Sequence, residues 1–116
     1  MSDRDWRLFL KDIRDCVTRV IDYVGTMSRD EFFHDPKTVD AAMRNLAIIG
    51  EASKKIPADA RRKYSAVEWK KMAGLRDIVV HDYFGIDEDI IWDVVSVRIP
   101  ELKRHLDLMS DEMPHD

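Results

Sequence analysis

The sequence predicts an all-α protein, an antiparallel helical bundle of four to five helices. Apolar residues recur every three or four positions through most of the chain, and capping and proline signals fall between the periodic stretches. No segment alternates with the period of a strand. At 116 residues, with 45% hydrophobic and 36% charged positions and only 4 Gly and 4 Pro, the composition suits a single folded domain over 1–116.

Trp6, Leu10, Ile13, Val17, Val20, Val24 and Met27 form one stripe, so residues 4–27 are predicted as an amphipathic helix. Ser28 and Glu31 have capping-box spacing, which predicts a short turn carrying Phe32 and Phe33 inward before Asp35-Pro36 breaks the chain. Val39, Ala42, Met43, Leu46, Ile49, Ser53 and Ile56 predict a second long helix, ended by Pro57. Residues 57–64 are charged and are expected to form one loose turn. A second capping box at Ser65 and Glu68 then opens a third helix, running through Met72, Leu75 and Val79 to Tyr83, with Gly85 as its stop. Asp87 is placed to cap the fourth, with Ile86 and Ile91 as a hydrophobic staple, and its stripe runs from Ile91 to Met109. Pro100 falls inside it, so a kink is expected near Val97. Residues 110–116 are expected to fray.

The first thirty residues interleave Arg4, Arg7, Lys11, Arg14 and Arg19 with acids, which excludes a secretory signal core. No apolar run is long enough to span a membrane. The one cysteine, Cys16, rules out an internal disulfide framework, and a cytoplasmic location fits best.

The net charge of −4 does not favour phosphate binding, but its distribution is uneven. From Lys54 to Arg76 the basic residues Lys54, Lys55, Arg61, Arg62, Lys63, Lys70, Lys71 and Arg76 face only Asp59 and Glu68. From Asp77 to Asp93 the sign reverses, with six acids and neither Lys nor Arg. Alternating solvated faces would give the same pattern.

Chemistry concentrates in the segment Gly74 to Tyr83, where Arg76, His81 and Tyr83 bring a permanent cation, an imidazole and a phenol within eight residues. Histidine can move protons near neutral pH, and arginine can grip a phosphate in two places and stabilise charge built up during transfer. On a helix, Tyr83 lies nearly above Arg76, whereas His81 points about 140° away. Convergence therefore requires a distorted helix end or a second copy across a two-fold axis, and a homodimer is the favoured solution. Asp77 lies one turn before His81, where it could fix the imidazole tautomer. Gly74 shares that face and would admit a close backbone or phosphate. By spacing alone, the commoner outcome is structural: an ion-paired Arg76, a satisfied His81 and a core Tyr83.

Over residues 40–106 the chain resembles the HepT family of HEPN-domain proteins. The match is carried by Arg44-Asn45-Leu46, Ile49-Gly50-Glu51-Ala52, Trp69 to Arg76 and His81-Asp82-Tyr83-Phe84-Gly85, with Trp92 and Pro100 also in place. The family motif, Arg-x4-His-x-Tyr, is complete in Arg76, His81 and Tyr83. The resemblance implies a dimeric, metal-independent ribonuclease toxin with Arg76 and His81 of both chains lining the dimer cleft. It also implies an MntA-like minimal nucleotidyltransferase antitoxin that places AMP on Tyr83. One departure is Asp77, where HEPN motifs often carry Asn; its charge would oppose phosphate or raise the basicity of His81.

Glu51 and Gly74 are supporting candidates, and Lys54, Lys55, Arg61, Arg62, Lys70 and Lys71 are candidate RNA contacts. Asn45, Trp69 and Trp92 are assigned to packing. His34, His105 and His115 lack a ligand pattern, and Glu101 with His105 has the wrong spacing for a carboxylate-bridged iron site, so no metal or cofactor is expected. No phosphate loop or nucleophile elbow occurs. The alternative function is a catalytically silent HEPN subunit that serves as binding partner of a nucleotidyltransferase.

Overall fold

Helix α1, Trp6–Val24, starts where the Asp5 carboxylate accepts the backbone N–H of Arg7 at 3.0 Å. It stops three residues before the predicted end, because Gly25 turns the chain with φ 51°, a value costly for any residue with a Cβ. The computed structural model describes the backbone of residues 5–82 and 87–112 and the side chains of residues 5–80 and 87–109.

Helix α2, Arg29–Phe33, carries the predicted capping box in full: Ser28 Oγ accepts from Glu31 N–H, and the Glu31 carboxylate accepts from Ser28 N–H. Its Phe32 is completely buried and packs on Phe33 and Trp92, with ring centroids 5.0 and 5.7 Å away.

Helix α3, Pro36–Ser53, begins and ends three residues earlier than the periodicity predicts. Pro36 does not merely break the chain. It opens the helix at a position whose N–H would have no partner, and Asp35 caps it by accepting the Thr38 backbone N–H at 3.4 Å, with the Thr38 hydroxyl donating to the same carboxylate at 2.9 Å. At the other end Arg61 donates to the carbonyls of Ser53 and Ile56, both at 2.9 Å, so the chain leaves the helix before Pro57. The expected loose turn is a short helix, α4, Ala58–Lys63.

The third predicted helix is two helices, α5, Trp69–Ala73, and α6, Leu75–Asp82. The Ser65–Glu68 capping box does not form: Ser65 is exposed, and Glu68 makes no side-chain cap. Burial of two aromatics decides the geometry, since Trp69 Nε1 donates to the Tyr64 carbonyl at 3.1 Å with both rings in the core. Glu68 instead pairs with Lys71 at 2.8 Å, and that hydrogen bond holds its carboxyl below the ordinary glutamate range.

Asp87 caps α7, Glu88–Asp93, as predicted, accepting from Asp89 N–H at 3.0 Å. The kink expected from Pro100 takes the form of a π-helical turn, Val94–Arg98, leading into α8, Ile99–Glu112. Pro100 has no N–H to give Ser96, and the wider register puts residues five apart on one line, where Arg98 pairs with Asp93 at 3.1 Å. Helical backbone continues to Glu112, beyond the predicted start of fraying. The Gly85 stop, Ile86 of the staple and residues 113–116 lie outside the described residues.

The assembly is the predicted all-α bundle. Helix α3 is its centre, with α1 on one side and α5 and α6 on the other, and α8 with the π-turn closes over α1. One continuous core takes Leu10, Ile13, Val17 and Val20 from α1, Leu46 and Ile49 from α3, and Val95, Ile99 and Leu106 from the last rod. Each such side chain contributes about 1.5–3 kcal/mol. Asn45 and Ser53, the buried polar residues, donate to carbonyls one turn back, at 2.8 and 2.7 Å. Cys16 is buried in α1, and burial pushes its thiol pKa up. Among the described residues, no helix is long and apolar enough to cross a membrane.

Candidate active site

A glycine in the interior of α3 sets the site. A Cβ on Gly50 would stand 2.8 Å from the backbone nitrogen of Arg76 and 3.2 Å from its Cβ, so only glycine lets the first turn of α6 lie this close. The next residue on α3 is Glu51, and its Oε1 accepts from Arg76 Nη1 at 2.7 Å. Lys54, the C-cap residue just past the end of α3, approaches the same oxygen at 3.8 Å.

The Arg76 guanidinium is 53% exposed and Glu51 48%, so the pair sits at a surface that a charged substrate can reach. Among the described residues, Glu51 is the ion-pair partner of Arg76, and it engages one of the guanidinium's donors. The opening of the predicted motif is thus a positioned, accessible cation.

Helix α6 is unbroken from Leu75 to Asp82 and therefore carries Arg76, Asp77 and the backbone of His81. Arg76 and His81 sit five residues apart on it, about 140° around its axis. Asp77 is exposed, one turn before His81. Val80, one turn after Arg76 on the same face, is an apolar side chain left 47% exposed. The His81 side chain and all of Tyr83 lie outside the described residues, as does the expected contact of Asp77 with the imidazole.

The basic candidates divide. Lys55 and Lys70 are exposed. Arg62 pairs with Asp59, Lys71 with Glu68 and Lys54 with Glu51, all at the surface. Arg61 is committed to the end of α3, where two carbonyls hold its guanidinium. Gly74 lies at the junction of α5 and α6, two residues before Arg76. It closes α5 with its N–H shared by the Lys70 and Lys71 carbonyls, and it lines a cavity of about 330 Å³ between α5, α6, the π-turn and α8. Met72, Leu75, Ile78, Val94, Ile99 and Leu102 floor that cavity, and Glu68, Lys71, Asp93, Arg98, Glu101 and His105 rim it.

Sequence reasoning missed this cavity and the role of Gly50. A glycine inside a strongly periodic helix costs about 1 kcal/mol against alanine, and that cost was the available signal that something packs against it. The cavity joins residues from separate helices and leaves no local trace. Among the described residues, no cluster of three or more His, Cys, Asp or Glu is arranged to hold a metal ion.

Comparison with known proteins identifies the family. The profile of the ribonuclease HepT-like family matches residues 13–109. A protein of Methanocaldococcus jannaschii whose name describes an RNase is 44% identical over 112 residues, 96% of this chain and 93% of its own. A second protein of that organism with such a name is 39% identical, covering 94% of this chain and all of its own. A protein of Thermococcus cleftensis named as ribonuclease HepT is 38% identical over 100 residues, 86% of this chain and 91% of its own. No solved structure matches the chain.

Proposed function

The chain belongs to the ribonuclease HepT-like family, and from that premise we propose that it is the toxin of a toxin–antitoxin pair, cutting RNA without a metal ion at the cleft of a homodimer. The observation that carries the proposal is Arg76: an accessible guanidinium, anchored by Glu51 at 2.7 Å, on the same short helix as His81. In this reading the RNA 2′-oxygen attacks the adjacent phosphorus as its proton leaves, the 5′-oxygen departs with a proton, and a 2′,3′-cyclic phosphate remains. His81 moves one of those protons, and Arg76 stabilises the charge that gathers on the phosphoryl oxygens.

Arg76 and the backbone of His81 sit five residues apart on one helix, a spacing of about 140° around its axis, and this supports a cleft shared by two copies. The exposed Val80 beside Arg76 supports it as well, because an apolar side chain next to the reactive cation is suited to burial against a partner. Lys55, Arg62, Lys70 and Lys71 are assigned to drawing the RNA backbone in. Tyr83 is assigned as the residue on which a minimal nucleotidyltransferase antitoxin, of the MntA type, places AMP. The added phosphate would repel RNA at the motif.

The test is expression of the wild type and of His81→Ala in cells without antitoxin, followed by growth and RNA integrity. Growth arrest and RNA fragmentation by the wild type alone are expected. If both chains are harmless and RNA stays whole, the chain is a silent partner subunit. Co-expression with a nucleotidyltransferase should restore growth and add the mass of AMP to the peptide containing Tyr83.

A further inference from the structure

The contact between Glu51 and Arg76 is built by backbone packing. The close approach that Gly50 permits fixes where each side chain starts, so the two need little conformational freedom to meet. An ion pair this exposed contributes little to stability. Its effect falls on the guanidinium, a rigid planar fork with five donors. Glu51 engages Nη1 and thereby restricts where the fork can point. Other N–H groups of the fork can then meet two oxygens of a phosphate.

A carboxylate beside a phosphate-binding arginine also repels the phosphate. Lys54 meets that difficulty: its ammonium, 3.8 Å from the same Glu51 oxygen, offsets the carboxylate's charge. The arrangement is a surface carboxylate whose Oε1 meets two cations, one for orientation and one for charge balance.

We propose that Glu51 is a positioning residue for RNA cleavage, anchoring Arg76 so that its free edge faces the substrate phosphate, with Lys54 as the counter-charge that keeps this carboxylate tolerable to RNA. The proposal rests on the reading that Arg76 meets the phosphate.

The split between kcat and KM tests it, measured on an RNA oligonucleotide well below the melting temperature of every variant. Glu51→Ala removes the anchor and should lower kcat on the order of ten- to a hundredfold, the cost of a misplaced catalytic group. Glu51→Gln keeps an oxygen that can accept from Nη1 and should recover most of that loss. Both variants should bind a 2′-O-methyl RNA, which cannot be cut, at least as tightly as the wild type, because a negative charge has gone.

A purely structural role would move melting temperature, binding and rate together, and the glutamine would give no selective rescue of kcat. Wild-type kcat in Glu51→Ala overturns the proposal. If Arg76→Ala itself cleaves RNA normally, the reading of Arg76 falls and the proposal falls with it. If Arg76→Ala is dead and Glu51→Ala is fully active, the proposal alone falls. For Lys54, the Lys54→Met change should raise KM in the wild type but not in the Glu51→Gln background. Equal effects in both backgrounds place Lys54 directly on RNA and overturn its assigned role.

Discussion

At the scale of single residues, Ser28 and Glu31 show how two side chains can fix where a helix begins. The Ser28 hydroxyl and the Glu31 carboxylate each satisfy the other's backbone N–H, and the bond from the Ser28 N–H holds the Glu31 carboxyl below its ordinary range. A depressed carboxyl pKa contributes stability above the unfolded value and loses it as the pH falls through the folded one. Ser28→Ala should therefore lower the melting temperature at pH 7 by about 3–6 °C, for a cap worth about 1 kcal/mol. Glu31→Gln, which removes the titrating carboxylate, should cost stability near neutral pH and progressively less as the pH falls far enough to protonate Glu31 in the wild type; thermal melts across pH check it. Gly74 gives a second test at this scale. A Cβ there would meet only the Lys70 and Lys71 carbonyls of its own helix, at 3.7 and 3.4 Å, and its backbone is right-handed helical. Gly74→Ala should hold or raise the melting temperature by the equivalent of about 0.4–1 kcal/mol. Loss of RNA cleavage in that stable variant would mark Gly74 as an approach point for substrate.

Among the elements, the contact of α3 with α6 matters most for the site. Gly50→Ala would drive a methyl group into the Arg76 backbone, where no flexible side chain can yield. A destabilisation of about 1–3 kcal/mol by chemical denaturation is expected, together with a lowered kcat as Glu51 and Arg76 move apart. The long helices were legible in the sequence because each buries a stripe at its own period, and Leu46, Ile49, Val95 and Leu106 are all core as read. What was not legible depended on distant partners. The signal at Ser65 and Glu68 is a valid local capping pattern, but the burial of Tyr64 and Trp69 and the pull of Lys71 on Glu68 overrode it. The end of α3 was misplaced because Arg61, eight residues on, takes the Ser53 carbonyl. Pro100 announced a kink, whereas its π-helical form depends on how Val94 and Val95 reach the core. The motif at Arg76 was legible only through the family resemblance, since by spacing alone the commoner outcome is structural. That Glu51 touches Arg76 was not, since 25 residues separate them and only the fold joins them.

For the whole molecule, the account requires two copies. If the cleft takes Arg76 from one protomer and His81 from the other, mixing Arg76→Ala with His81→Ala should restore cleavage through heterodimers that keep one intact pair. Two inactive homodimers that stay inactive after co-refolding would assign each site to a single chain. The basic stretch belongs to this scale too. Binding to an uncleavable RNA should weaken with salt, each lysine or arginine on a phosphate adding about 0.7 to the slope of log K against log salt. Removing Lys55 and Lys70 should flatten that slope.

The central claim is that Arg76 and His81, with no metal ion, cut RNA. Its most direct measurement is incubation of the purified wild type, Arg76→Ala and His81→Ala with RNA in excess EDTA, with analysis of the new ends. The account predicts cleavage by the wild type alone, leaving 2′,3′-cyclic phosphates. Full activity in either variant, or loss of wild-type cleavage on chelation, would contradict it.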